Sequence, residues 1–205
     1  MDPQDGNQFG IVFNLTFSAA QRTIARNLVK RHIKYGARAP ELPGSISPSI
    51  TSLELRAQLF AGETEGDAAS PLALLRSQWG HATNGSCLHY GFYPGRERFI
   101  SHAHGWSTGP VFGLLADVVG LRAGKIDVAA EYGDWVFQPS VKGSGLRYAS
   151  GGFLAKGGLF EAQWSLKGCE MEASIHTPKG LKGTVYLPTF AFNYTQYRST
   201  LTTPR

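Results

Sequence analysis

The chain has 205 residues, of which 42% are hydrophobic and 17% are charged, a composition typical of globular domains rather than of disordered proteins. No apolar stretch approaches the roughly 20 residues that a membrane-spanning helix needs, and the first residues lack the basic and apolar regions of a secretory signal. The formal net charge of +5 permits an anionic partner without requiring one. Because no apolar stretch is long enough to span a membrane, we expect no membrane partner.

Basic residues recur every four positions in the first predicted helix, in a stretch without acidic residues. At this spacing their side chains would share one helix face. No aromatic interleaving and no nucleic-acid-binding motif accompanies them. We interpret the row as a solvated helix face and expect no nucleic-acid partner. The four residues are Arg22, Arg26, Lys30 and Lys34.

Four helices are predicted in the first 120 residues. A Ser-x-x-Gln capping box, Ser18 to Gln21, begins the first helix. Pro48 and Pro71 mark the starts of the next two, because a proline at the first helical position loses no hydrogen bond. The last helix is so apolar that we expect it to be buried on most sides. The predicted helices span residues 18–36, 47–62, 70–80 and 110–120.

After Gly120 the period of the apolar residues changes from near 3.6 to 2, which predicts strands. In the clearest case, Phe160, Ala162 and Trp164 alternate with polar residues. Short turn signals separate the last three strands, which we expect to form an antiparallel meander. The predicted strands span residues 134–139, 146–153, 159–166, 169–177 and 181–187.

The fold class expected from this order is α+β. Residues 1–120 form a helical segment, residues 121–192 an antiparallel β-sandwich, and residues 193–205 a flexible tail. Cys87 and Cys169 lie far apart and form no CxxC motif, so two free thiols and a single bridge both stay open. No nucleotide, metal or hydrolase motif is present, and we expect neither a cofactor nor a metal.

Two histidines and a tryptophan stand directly before the last predicted helix. A tryptophan ring offers an apolar face to a sugar, and a histidine donates or accepts a hydrogen bond. His102, His104 and Trp106 are therefore candidate sugar-binding residues. The alternative is that the histidines bond the backbone of a tight turn and Trp106 fills the core.

The run from Ser101 to Pro110 resembles the late helical segment of fungal α-L-rhamnosidases, glycoside hydrolase family 78, whose catalytic domain is an (α/α) toroid of six hairpins. Further segments resemble the family in order and spacing, from about residue 9 to residue 190. The resemblance implies that the helical segment is the late part of such a toroid and that the β-sandwich is the C-terminal domain. The further segments are 36–48, 75–80, 114–121, 145–151, 176–180 and 183–188.

The resemblance also implies which groups would carry the chemistry. The family inverts configuration with a general acid and a general base, both carboxyl groups. The general-acid region has no counterpart here, and the segment Cys87–Phe92 stands in place of the Glu-Gly-aromatic motif of the base. Tyr90 then occupies the position of the glutamate. A phenol, whose ordinary pKa is about 10, is a poor base at neutral pH.

Three readings of function follow, and the first is the one we expect: a truncated rhamnosidase-like protein without hydrolytic activity of its own. The second is a fragment of an active inverting α-L-rhamnosidase, and the third is a recruited sugar-binding or small-molecule biosynthetic protein. Glu97 is a candidate replacement for the base, although its flanking arginines favour a surface carboxylate. The candidate catalytic residues are His104, Glu97 and Tyr90, and the candidate substrate-binding residues are His102, Trp106 and His89.

The expected partners are a rhamnoside and a second copy of the chain, which would cover apolar helix faces that a closed toroid would bury. Localisation stays open at this point. The family is commonly extracellular, and glycosylation sequons occur at Asn14, Asn84 and Asn193, but no signal sequence accompanies them.

Overall fold

A computed structural model describes residues 3–41, 43, 45–65, 69–83, 105–123, 134–155, 157–168 and 170–188. The chain divides into two compact units, Met1–Gly113 with Lys142–Gly145, and Leu114–Val141 with Leu146–Arg205. The first unit is mainly helical and the second consists mainly of strands, which confirms the α+β class. In the part of the chain that the structure describes, no helix has both the length and the apolar character needed to cross a membrane.

Four longer helices form most of the described part of the first unit. Both α1 and α2 pack on α3, which also contacts α4. Small and aliphatic side chains from three of these helices meet in the core: Ile11, Ala25, Ala57 and Ala61. The helices are α1 (Gln4–Val12), α2 (Ser18–Val29), α3 (Pro48–Glu65) and α4 (Ala69–Thr83).

Helices α3 and α4 confirm the two helices predicted at 47–62 and 70–80, but both run further than expected. Helix α3 continues to Glu65 and α4 to Thr83, through Gly62 and Gly80. A glycine inside a helix costs about 1 kcal/mol relative to alanine, which the packing of these helices tolerates. Helix α1 was not predicted, because the side chains that it buries include Gln4 and Gln8 and give no apolar stripe.

The predicted capping box of α2 is wrong. The residue that precedes the helix is Phe17, and no side chain caps the first turn. Gln21 instead donates from Nε2 to the Thr16 carbonyl at 2.8 Å and to Asn14 Oδ1 at 2.9 Å. The Gln21 side chain is therefore committed to the turn that links α1 to α2.

The predicted end of α2 at Gly36 is also wrong. The helix ends at Val29, and a short hairpin follows in which β1 (His32–Ile33) pairs antiparallel with β2 (Gly36–Ala37). The hairpin satisfies backbone groups that a longer helix would have paired internally. Lys34 consequently leaves the basic helix face, and its ammonium lies 5.3 Å from the centre of the Tyr35 ring.

The last predicted helix of the first half is not a uniform α-helix. A 3₁₀ turn (Gly105–Thr108) leads into the short helix α5 (Gly109–Phe112) and then into a π-helical turn (Gly113–Val119). The Gly120 N–H donates to the Leu115 carbonyl at 3.1 Å, which is the i to i+5 spacing of a π-helix. The expected burial on most sides holds only for its second half, since Val111 and Phe112 are exposed.

Two three-stranded sheets make up most of the second unit. One has the order β3-β4-β8 and the other the order β5-β6-β7. A short helix, α6 (Val141–Ser144), lies between β4 and β5 in the chain. The strands are β3 (Leu121–Ala123), β4 (Asp134–Phe137), β5 (Tyr148–Ala155), β6 (Gly158–Lys167), β7 (Glu170–His176) and β8 (Lys182–Val185).

The antiparallel meander involves different strands from those predicted. It is β5-β6-β7, while β8 leaves it and pairs parallel with β4. Trp135 of β4 lies opposite Gly183 of β8, where an added Cβ would meet the indole ring in a severe clash. The ring thus occupies space that only a glycine leaves open. The residues of β8 are exposed, so the predicted half-buried alternation is wrong there.

Strand β6 confirms the alternation from which it was predicted. Phe160, Ala162 and Trp164 are buried, and the residues between them are exposed. The Trp164 Nε1–H donates to the Val118 carbonyl at 3.0 Å, which joins the sheet to the π-helical turn. The core of this unit therefore lies between β6 and residues 116–121, most of which are buried.

Candidate functional site

Trp106 is the one candidate site residue that falls within the described part of the chain. Its side chain stands in the 3₁₀ turn Gly105–Thr108 and is 65% exposed. Within the turn, Thr108 Oγ1 donates to the Gly105 carbonyl at 2.6 Å. The alternative in which Trp106 fills the core is therefore wrong. The indole is therefore largely accessible to solvent.

A second tryptophan anchors this turn. The Trp79 ring is buried against the turn from α4, and its Nε1–H donates to the Ser107 carbonyl at 2.7 Å. Ser107 itself is buried, whereas its neighbour Trp106 is exposed. The two tryptophans consequently have separate roles: Trp79 fixes the backbone, and the fixed backbone presents Trp106.

An arginine and two aromatic rings lie next to this turn in the same unit. The Arg56 guanidinium of α3 lies 4.8 Å from the centre of the Phe112 ring and 5.4 Å from that of Phe60. The Phe112 ring is more than half exposed, so its contact with Arg56 reaches the surface. Cation–π contacts of this kind are attractive and hold the guanidinium beside the rings.

The other five candidates lie outside the described residues. They are His89, Tyr90, Glu97, His102 and His104. Their predicted roles stay predictions. Cys87, Cys169 and residues 193–205 also lie outside the described part of the chain.

A buried carboxylate that the sequence reasoning missed lies at the centre of the first unit. Glu54 of α3 is 1% exposed and accepts a hydrogen bond from Gln4 Nε2 at 2.6 Å. Its other oxygen, Oε1, lies 2.5 Å from His32 Nε2. The residues are separated by 50 and 22 positions along the chain, so no local motif reveals the contact. One signal was present: a glutamate on the apolar face of a helix requires partners.

Both oxygens of Glu54 are engaged, and the carboxylate joins α1, β1 and α3. At 1% exposure it links these elements inside the first unit. Gln8 and Thr51 are buried on the same two helices. Among the described atoms, neither side chain has a hydrogen-bond partner. Among the residues that the structure describes, no three His, Cys, Asp or Glu side chains converge as a metal site would require.

The chain is similar to known proteins in part of its sequence and in its fold. Residues 120–200 match the family model described as the bacterial alpha-L-rhamnosidase C-terminal domain. The fold matches the crystal structure of a GH78 family rhamnosidase of Bacillus sp. GL1, with a TM-score of 0.65 at 16% sequence identity. The family model therefore covers the second part of the chain, and the structural match concerns the fold.

The structural match covers different shares of the two chains. It covers 91% of this chain and 19% of the Bacillus chain, so this chain spans about a fifth of that enzyme. A comparison with curated protein sequences gave no match. The likeness to the Bacillus structure, at this identity, concerns the fold.

Proposed function

We propose that this chain is a rhamnosidase-like protein of the glycoside hydrolase class that contacts an L-rhamnosyl sugar through the turn Gly105–Thr108 and does not hydrolyse rhamnosides by itself. The observation that carries the proposal is the exposed Trp106 ring on a turn fixed by Trp79. The match of residues 120–200 to a rhamnosidase C-terminal domain supports rhamnose as the sugar.

The proposal includes three more specific statements about the fold and the family. Residues 1–120 correspond to the late helices of the toroid, residues 121–192 form a β-sandwich, and the relationship is to the fungal branch of the family. The resemblance of several segments in order and spacing supports these parts. The two sheets of the second unit, β3-β4-β8 and β5-β6-β7, are compatible with a sandwich.

The proposed lack of hydrolytic activity follows from the residues that are available for general acid and base catalysis. Tyr90 stands where the resemblance places the general base, and a phenol is a poor base near pH 7. The buried Glu54 is committed to Gln4 and His32. Inverting hydrolysis needs one carboxyl group on each side of the scissile bond.

Titration with L-rhamnose tests the sugar contact. Calorimetry of the purified chain should show binding, and Trp106→Ala should weaken it by roughly two- to tenfold, the loss of one aromatic contact. Trp106→Phe keeps an aromatic face and should retain most of the affinity. The exposed position of Trp106 lets both variants fold, which circular dichroism verifies. Equal affinity of wild type and Trp106→Ala would contradict the proposed role.

A second copy of the chain is proposed as a partner of the first unit. The segment between α1 and α2 exposes three large apolar side chains, Phe13, Leu15 and Phe17, each by more than half. Exposed apolar clusters are typical of protein contacts. Light scattering should give a dimer for the wild type and a monomer for Leu15→Asp. A monodisperse monomer of the wild type would contradict this part.

A further inference from the structure

A glycosylation sequon lies on the exposed turn between α1 and α2. It consists of Asn14, Leu15 and Thr16, and the function proposed above makes no use of it. Asn14 and Leu15 are exposed, and Thr16 is partly exposed. The sequons at Asn84 and Asn193 lie outside the described residues, so Asn14 is the sequon whose surroundings the structure shows.

Asn14 closes the C-terminal end of α1. Its backbone has φ +52°, and among the described residues it is the one position other than glycine with a positive φ. The Asn14 N–H donates to the Ile11 carbonyl at 3.0 Å, and the Leu15 N–H donates to the Gly10 carbonyl at 3.0 Å. Two such bonds around a left-handed residue form a Schellman motif, in which glycine is the usual residue and asparagine a less common one. The turn by itself therefore does not select asparagine over glycine.

The side-chain amide of Asn14 is engaged on one side. Its Oδ1 accepts a hydrogen bond from Gln21 Nε2 at 2.9 Å, and the same Nε2 donates to the Thr16 carbonyl at 2.8 Å. The Asn14 Nδ2 is the nitrogen that N-glycosylation modifies. Because the modified amide keeps its carbonyl oxygen, Gln21 keeps its acceptor. The turn can therefore carry a glycan without losing either of these hydrogen bonds.

Three large apolar side chains lie around the sequon. Phe13, Leu15 and Phe17 are exposed by 60%, 73% and 74%. In a Schellman motif the residue at the position of Leu15 commonly packs on the side chain five positions earlier, which here is Gly10. Leu15 consequently has no side chain to pack on at that position. An oligosaccharide bound to Asn14 would lie beside these apolar side chains, where its bulk and its hydration limit the approach of another protein.

We propose that Asn14 is an N-glycosylation site and that its glycan prevents association of the chain through Phe13, Leu15 and Phe17. The Asn14 Nδ2 attacks the anomeric carbon of a lipid-linked oligosaccharide on an oligosaccharyltransferase. A bond forms between that carbon and Nδ2, the bond from the carbon to the pyrophosphate oxygen breaks, and Nδ2 gives up one proton to a base of the transferase. The lipid pyrophosphate leaves. Burial of the sugar hydroxyl groups in a contact between two chains would cost free energy, because they would lose water without gaining partners.

Secretion of the full chain from yeast, behind a cleavable secretion signal, tests the modification. Peptide mass spectrometry should find a glycan on the peptide that contains Asn14. Thr16→Ala should abolish this glycan and Thr16→Ser should retain it, because the sequon requires a hydroxyl group at its third position. The modified wild type should unfold at the same urea concentration as Asn14→Gly, which keeps the left-handed turn and has no amide to modify. An unmodified Asn14 in the secreted wild type would overturn the proposal.

Light scattering on the same samples tests the effect of the glycan, which rests on the dimer contact proposed above. The wild type glycosylated at Asn14 should be a monomer. Asn14→Gly from the same host should be a dimer, since it keeps the three apolar side chains and any glycan at Asn84 or Asn193. A glycosylated dimer would overturn the blocking effect of the glycan. A monomeric Asn14→Gly would overturn the dimer contact and with it the blocking effect, whereas the mass of the Asn14 peptide decides the modification site separately.

Discussion

Replacing Trp79 by phenylalanine tests whether the turn that presents Trp106 is fixed by a buried hydrogen bond. The indole Nε1–H of Trp79 donates to the Ser107 carbonyl at 2.7 Å, and both residues are buried. Phenylalanine keeps a ring at this position but has no donor. The Ser107 carbonyl then loses its indole donor in a place that water reaches poorly.

The expected loss of stability is the sum of two effects. Leaving a buried acceptor without its donor costs about 1 to 3 kcal/mol. The smaller ring buries less apolar surface, which adds about 1 kcal/mol at the usual value per unit area. Because the two overlap, we expect the free energy of unfolding to fall by about 2 to 3 kcal/mol. In a protein of this length that lowers Tm by about 4 to 12 °C.

Urea unfolding followed by circular dichroism measures this change, with calorimetry as a second readout. Trp106→Phe is the matched control, because it makes the same change at an exposed site and should stay within about 0.5 kcal/mol of the wild type. If Trp79→Phe is as stable as Trp106→Phe, then the hydrogen bond does not anchor the turn.

Two further substitutions have expected effects on stability. Gly120 has φ +84° and an added Cβ would lie 2.3 Å from the Pro139 nitrogen, so Gly120→Ala should cost at least about 3 kcal/mol in urea unfolding. Gly168 also has a positive φ, +61°, but open space around it, so Gly168→Ala should cost only about 1 to 2 kcal/mol. Equal losses of stability in the two variants would contradict the clash expected at Gly120. Glu54→Ala should cost about 2 to 4 kcal/mol, because two donors lose their acceptor. Exposed Glu172, replaced in the same way, should change stability by less than about 0.5 kcal/mol, and a similar loss at both sites would count against the buried network.

Local patterns in the sequence predicted the elements whose signal is local. The prolines at the starts of α3 and α4 and the alternation along β6 each reflect the physics of one element, and the structure has these elements, with later ends for the two helices. Helix α1 escaped prediction because its buried residues Gln4 and Gln8 are polar. The meander was assigned one strand too late, since the parallel pairing of β8 with β4 depends on the fit of Trp135 over Gly183.

The candidate site residues also divide into those with a local sequence signal and those whose position depends on packing. A tryptophan beside a proline-started helical turn was visible in the sequence, and the structure exposes its side chain. The contact of His32 with Glu54 was not visible, because it joins residues that only the packing of β1 on α3 brings together. The basic row was visible, but three of its members, Arg22, Arg26 and Lys30, line a cavity whose shape depends on where α4 packs. The pattern of a single helix or strand is visible in the local sequence, whereas a concave site forms only where several elements pack together.

The measurement that tests the central claim most directly is the turnover of an aryl α-L-rhamnoside by the purified chain at high protein concentration. The account predicts binding of L-rhamnose without release of the aryl alcohol above that of a Glu97→Gln, Tyr90→Phe double variant. Turnover that this double variant abolishes would contradict the account and identify a small glycosidase whose carboxylates have been replaced.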